Sequence, residues 1–359
     1  RTSSGQRGAA PDRRPGSGAS MTGRRSLALF TLLLLVASTV PATRLAAAPP
    51  AICLAAGDSL AAGVGSTLPR ERSAAALLCR WSEAFFGDRA ELVTVARPGE
   101  RTGSFRTSGQ LEALHEAIER ARRAGQPIRF VLVSLGGNDL LALRDASEEE
   151  RDRLFGEFAE ALGPALLAVR ETIGEGTPLL ALTLYDPTDG DPTAERTESW
   201  WIARFNEAIR QRAEAVGGIV VDLASAFRGH SADWTWWPVD VHPTNAGYEA
   251  IARTAWQALG WDRTGPAITI ERPSDGSELE RRYQTVRAVV TDPGGVEQVT
   301  LWVDGREIGT LDPLPSNNEW LTLWETPWPS DGPPITLEIR ARDRAGNESV
   351  ATMRILRGG

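Results

Sequence analysis

Five short runs, AICLAAG (51–57), ELVTVA (91–96), IRFVLVSLG (128–136), PLLALTLY (178–185) and GIVVDL (218–223), are apolar almost throughout rather than at every second residue. A strand with one face in water alternates. A strand buried on both faces does not, and parallel sheets covered by helices impose that condition. The segments between supply the helices: 73–87, 110–124, 148–173, 195–215 and 245–259 carry apolar residues at helical spacing. In the last, Tyr248, Ile251, Ala252, Ala255 and Leu259 form one stripe, with Thr244 or Asn245 as candidate cap. Strands and helices alternating over residues 51–261 predict an α/β domain, a five-stranded parallel sheet inside a three-layer sandwich. Ligands of such sheets bind beyond the carboxyl ends of the strands.

After WDRTGPA (261–267) the texture changes. Short alternating segments such as AITIE, RAVVTD, VTLWVDG, ITLEIRARD and ATMRIL are separated by Pro, Gly and Asp turns. They predict an all-β sandwich over 265–357. VDGREIG (303–309) reads as a tight Asp-Gly hairpin. With the late ARDRAGN (341–347), this tail resembles the bacterial immunoglobulin-like modules that follow secreted enzymes.

Composition narrows the chemistry. None of the 359 residues is lysine, so all 39 basic residues are arginine, and the net charge is -8. That balance argues against nucleic acid as a partner, and the missing lysine excludes Schiff-base, Ser-Lys and P-loop mechanisms. With three histidines, two cysteines, no HExxH and no CxxC, neither a metal site nor a cofactor is expected. Cys53 and Cys79 are open to two readings, a disulfide or two separately buried thiols.

At the N-terminal end, residues 1–20 are rich in Arg, Gly, Ser and Pro and read as a disordered extension. From Met21 onward, Arg24-Arg25, the apolar run Leu27 to Val40 and small residues to Ala48 read as a signal peptide over 21–48. The run is short for a membrane span. The expectation is a secreted, extracytoplasmic protein that meets membrane only through this segment, an uncleaved anchor being the alternative.

A lone hydroxyl, Ser59, stands at the end of the first apolar run on the bend Gly57-Asp58-Ser59. A serine needs a base to become a nucleophile, and the base works best when a third group orients it. His242, between the fifth run and the last helix, is the best-placed base; His115 and His230 read as surface or packing residues. Acyl transfer also needs oxyanion donors. Asn138, after the Gly-Gly of SLGGNDLL (134–141), and Gly99, in ARPGERTG (96–103), each follow a different strand of the same sheet.

Taken together, GDS at 57–59, Gly99, GGND at 136–139 and VHPTNAGY at 241–248 resemble the four blocks of the SGNH/GDSL hydrolases, in order and spacing. The resemblance covers about residues 51–260 and implies a flavodoxin-like sheet. It also implies Ser59 as nucleophile, His242 as base, and the Ser59 amide, Gly99 amide and Asn138 side chain as oxyanion donors. The G-x-S-x-G signature of α/β-hydrolases is absent around Ser59, in agreement. One feature departs. The family's acid stands three residues before the histidine, where this chain has Val239. Asp240, two before, reaches the ring if the backbone is extended; the alternative is the Val239 carbonyl. Asp233 is a remote third choice, and Asp222 reads as structural.

Trp236 and Trp237, with Trp234, lead into the His242 loop and read either as walls of a substrate groove or as packing, whereas Trp200 and Trp201 read as core. The function expected is a secreted serine ester hydrolase acting on a small or polymer-linked ester. The alternatives are a carbohydrate deacetylase or acyltransferase using the same site, or a surface binding protein with a degenerate hydrolase domain. The C-terminal module is the candidate for cell-wall or glycan contact.

Overall fold

The structure, a computed structural model, describes residues 48–315, 318–328 and 331–357. The extension over 1–20 and the leader over 21–48 fall outside these, residue 48 excepted. The first half runs β1 (Ala51–Gly57), α1 (Ser59–Ala62), α2 (Pro69–Arg72), α3 (Ala74–Phe86), β2 (Ala90–Thr94), α4 (Gln110–Arg123), β3 (Ile128–Ser134) and α5 (Gly137–Leu141). It continues through α6 (Glu148–Ile173), β4 (Leu179–Leu182), α7 (Glu198–Ala215), β5 (Ile219–Val221), α8 (Leu223–Phe227), α9 (Ser231–Trp234) and α10 (Asn245–Leu259). The five strands form one parallel sheet in the order β2-β1-β3-β4-β5, the flavodoxin-like arrangement.

The sheet shows why its strands are apolar throughout. In β1, Ile52, Leu54 and Ala56 face a core built with α4, α6 and α7, whereas Cys53 and Ala55 face the opposite core, built with α3, α8 and α10. β3 repeats the division, with Val131 and Val133 on one side and Phe130 and Leu132 on the other. Every residue of β1 is buried, and each large apolar side chain so placed contributes about 1.5–3 kcal/mol. Cys53 and Cys79 form a disulfide between β1 and α3, resolving the two readings in favour of the bridge. Closing a loop of 26 residues contributes about 3 kcal/mol.

Several elements are shorter than the pattern predicts. β4 stops at Leu182 rather than 185 because the Asn206 side chain takes over the backbone of Leu184, accepting its N–H at 2.7 Å and donating to its carbonyl at 2.8 Å. α7 begins at Glu198 rather than 195, where Thr197 caps it by accepting the Trp200 N–H. The α10 cap is Thr244, which accepts from the Gly247 N–H.

Beyond α10 the chain forms β6 (Ala267–Arg272), β7 (Tyr283–Thr291), β8 (Val296–Val303), β9 (Arg306–Thr310), β10 (Asp312–Pro313), β11 (Glu319–Glu325), β12 (Ile335–Asp343) and β13 (Glu348–Ile355). They make two antiparallel sheets, β10-β11-β7-β6 and β13-β12-β8-β9. Val286, Ala288, Val299, Leu301, Leu337 and Ile339 pack between them. The hairpin joining β8 and β9 turns on Asp304 and Gly305, both at positive φ, as a two-residue primed turn demands.

Candidate active site

Ser59 is placed by the end of β1. Gly57 sits at φ +113°, so close to β3 that an added Cβ would lie 1.9 Å from the Ser134 carbonyl oxygen; only glycine fits. Asp58 then donates its N–H to that carbonyl at 3.0 Å, and its carboxylate caps α1 by accepting the Leu60 N–H at 3.0 Å. Ser59 becomes the first residue of α1, where a backbone N–H has no intrahelical acceptor. The same logic recurs after β3. Gly136, at φ +105° against the Phe158 ring, opens α5 and presents Asn138.

His242 lies on the loop from Trp234 to Thr244. This loop is closed on itself by Trp236 N–H to the His242 carbonyl at 3.0 Å and Thr244 N–H to the Trp234 carbonyl at 2.8 Å. Tyr185 donates its hydroxyl to the Val241 carbonyl, and Tyr248 donates to the Val64 carbonyl at 2.6 Å. So held, His242 Nε2 is 2.8 Å from Ser59 Oγ, a pair 183 residues apart in sequence. On the other side of the ring, Nδ1 is 2.5 Å from Asp240 Oδ1.

Asp240 reaches the ring by a different route from the extended backbone anticipated for this segment. Its Oδ1 also accepts the His242 backbone N–H at 3.1 Å, closing a turn over residues 240–242. This is the Asx-turn habit of aspartate. The carboxylate therefore grips both ends of the histidine. Partial burial works against its charge, but the hydrogen bonds from the His242 side chain and backbone and the imidazole charge hold it below the usual carboxylate range.

Of the donors expected for an oxyanion, Ser59 and Asn138 line one cleft with His242, whereas Gly99 is not among the lining residues. Asn138 donates one hydrogen of Nδ2 to the Glu100 carbonyl at 2.9 Å, and an amide nitrogen has a second to give. Gly99 lies at φ +87° in the turn that Glu100 N–H closes onto the Arg97 carbonyl. A network missed in the sequence ties these pieces together. Gln110, fully buried at the start of α4, bonds both backbone groups of Gly57, accepting its N–H and donating to its carbonyl at 3.0 Å. Its Nε2 also donates to Glu100 at 3.1 Å, and Asp139 accepts from the Thr102 N–H and hydroxyl at 3.0 and 2.9 Å. The only sequence signal was a polar residue opening an amphipathic helix.

Ser59, Asn138 and His242 line one cleft of ≈ 100 Å³ together with Leu60, Leu140, Leu141, Leu184 and Val241. Arg144 and Glu198, ion-paired at 2.7 Å, complete its wall. A larger cavity of ≈ 380 Å³ is lined by Asp186, Asp189, Arg210 and Arg228 and contains none of Ser59, Asn138 or His242. At the floor, Asp58 is fully buried. Burial pushes its carboxyl up to about 6, against the pull of the nearby Ser134 hydroxyl, the Leu60 and Ala61 amides and the His242 charge.

The remaining candidates lie elsewhere. Trp236 and Trp237 are not among the residues lining the cleft: Trp236 donates its indole N–H to the Gly65 carbonyl at 2.9 Å and braces the His242 loop, and Trp237 lies under the Arg144 guanidinium at 5.6 Å. His115 is exposed on α4, and His230 stacks on Trp234 with ring centres 4.3 Å apart. Asp222 caps α8 and pairs with Arg210, while Asp233 is exposed on α9. Trp201 is core, with Trp200 packed against it.

Comparison with known proteins agrees with this architecture. Residues 55–250 match the GDSL-like lipase/acylhydrolase family, and residues 266–331 match the bacterial Ig domain family. No curated protein matches the chain. Among solved structures, the lipase Lip_vut3 from a goat rumen metagenome is 24% identical, covering 59% of this chain and 99% of its own at a TM-score of 0.47. The acetylxylan esterase Axe2 from Geobacillus stearothermophilus is 18% identical, covering 60% and 96% at 0.44. With more than half of its length matched, the chain belongs to the GDSL-like lipase/acylhydrolase family: it is an ester hydrolase followed by a bacterial immunoglobulin domain.

Proposed function

We propose that the protein is an exported serine esterase that cleaves short-acyl esters through an acyl intermediate on Ser59. The observation that carries this reading is the Ser59–His242–Asp240 relay, with contacts of 2.8 and 2.5 Å. Ser59 Oγ attacks the ester carbonyl carbon while its proton passes to His242 Nε2. The carbonyl electrons move onto oxygen, where the Ser59 and Gly99 amides and Asn138 Nδ2 are the donors assigned to the oxyanion. Collapse expels the alcohol, which takes the proton from His242. Water, deprotonated by the same nitrogen, then attacks the acyl carbon and releases the carboxylic acid, restoring Ser59. Asp240 keeps Nε2 directed at the hydroxyl and offsets the charge that the ring acquires.

The size and lining of the cleft support a short acyl group. Its ≈ 100 Å³ is well below the ~300–1,000 Å³ typical of pockets that engulf larger ligands, and Leu140, Leu141, Leu184 and Val241 give it apolar walls. Export is supported by the leader-like pattern over 21–48 and by the Cys53–Cys79 disulfide, a bond that persists in oxidising compartments. No helix among the described residues is long and apolar enough to cross a membrane. A p-nitrophenyl ester series tests the reading, with acetyl and propionyl esters expected to be the best substrates. Ser59→Ala is expected to lose nearly all turnover, together with covalent labelling by a fluorophosphonate. Full activity or full labelling in that variant rejects the mechanism.

A further inference from the structure

Three aspartates that do not line the cleft meet where the two halves of the chain join. Asp262 lies just beyond α10, Asp292 follows β7, and Asp343 ends β12. One carboxylate oxygen from each falls within 4.8 Å of the other two. Asp262 and Asp343 are 5% and 0% exposed. The cluster is held from behind. Asp292 Oδ1 accepts the Gly294 and Gly295 N–H groups at 2.7 and 3.0 Å, and Asp343 accepts the Asn347 N–H and amide at 2.9 and 2.8 Å. Asp262 Oδ1 receives the Thr264 N–H and hydroxyl at 3.3 and 3.4 Å.

Asp262 Oδ2 differs: it is buried with no hydrogen-bond partner. It points at the turn carrying Asp292, since a Cβ on Gly294 would lie 2.2 Å from it and 3.2 Å from Asp292 Oδ1. The adjacent Arg344 does not supply the missing charge. Its guanidinium donates to the Gly294 carbonyl at 2.9 Å and lies over the Trp81 ring at 4.7 Å. A buried carboxylate oxygen without a donor costs free energy unless a cation or a proton meets it.

We propose that Asp262, Asp292 and Asp343 bind a divalent cation of the calcium class that fastens the immunoglobulin domain to the hydrolase domain. Carboxylate oxygens suit a hard cation. Calcium accepts six to eight oxygens in flexible geometry, whereas magnesium demands a near-ideal octahedron and usually keeps several waters. Position gives the site its role. Asp262 belongs to the segment leaving α10 and the other two to the sandwich, beside the Arg253–Glu297 pair at 2.9 Å and the bond from Gln257 to the Arg344 carbonyl at 3.2 Å.

The test uses the full chain, stripped with EGTA and returned to calcium, magnesium or terbium. Calcium is expected to raise the melting temperature by several degrees, magnesium by less. Terbium luminescence, excited through the protein's tryptophans, is expected to appear and be displaced by calcium. Asp292→Asn is expected to lose both responses while p-nitrophenyl acetate hydrolysis stays at the wild-type rate. The direct binding signal in unaltered protein separates a lost site from a variant that misfolds. Identical melting in EGTA and calcium without displaceable terbium binding overturns the proposal, as does an undiminished calcium response in Asp292→Asn. Higher stability of Asp292→Asn with no ion response in the wild type overturns it too, assigning the cluster a shared proton instead.

Discussion

The hydrolase and immunoglobulin halves bury their apolar residues in opposite ways. In the first, each central strand sends side chains into two cores, so the sheet faces carry little information about chemistry, and the residues proposed for catalysis stand on the connections between elements. In the second, each sheet has one buried face. The other is laced with charge, such as Arg340 against Glu338 and over the Trp302 ring, or Arg287 between Glu271 and Glu319. The difference teaches where to look for function. A sheet covered on both sides has only its rim to offer a substrate, whereas the sandwich has exposed faces and edges and, among the described residues, no cleft that contains a serine–histidine pair.

Variants can break or sharpen that contrast. Asn138→Ala removes the proposed oxyanion donor and is expected to cut kcat on p-nitrophenyl acetate about 10²–10³-fold, with stability lowered by only about 1 kcal/mol for the lost bond to Glu100. A small kinetic effect would move the oxyanion site elsewhere. Ile339→Ala, in the sandwich core, is expected to do the reverse, costing about 2–5 kcal/mol in denaturant unfolding of that domain. Below its transition, ester hydrolysis should be unchanged. A parallel loss of kcat would show that the halves act as one unit.

Asp58→Asn probes the hydrolase rim through pH. In the unfolded chain this carboxyl titrates near 3.8, whereas in the fold burial holds it at about 6. Below 3.8 the acid is neutral in both states and burial carries no charge penalty. As pH rises from 3.8 to 6 the unfolded chain ionises first and the native state loses stability, levelling off above 6 at about 3 kcal/mol. An amide does not titrate. Melting of Asp58→Asn relative to wild type should therefore improve from pH 4 to pH 7, and a flat difference would contradict the buried acid.

Much of this was legible in the chain, for physical reasons. Near-continuous apolar strands declared a doubly covered sheet, and Ser59 and Asn138, on the connections leaving β1 and β3, meet at its rim, where His242 arrives on a loop beyond α8 and α9. Asp240 was legible only as a candidate, because a turn closed by its own carboxylate, rather than extended backbone, brings it to His242. Gln110 was invisible: its contacts with Gly57 span 53 residues and follow from packing alone. The same holds for Asp262, Asp292 and Asp343. Each reads locally as an ordinary turn aspartate, and only the joining of two domains makes them neighbours.

The Gln110 clamp has a consequence for how the enzyme fails. One uncharged side chain fastens Gly57, two residues before the proposed nucleophile, to Glu100, beside the proposed donor Gly99, so loss of that clamp would uncouple the two while the sheet stayed whole. Replacing that side chain would then lower turnover by more than it lowers the melting temperature.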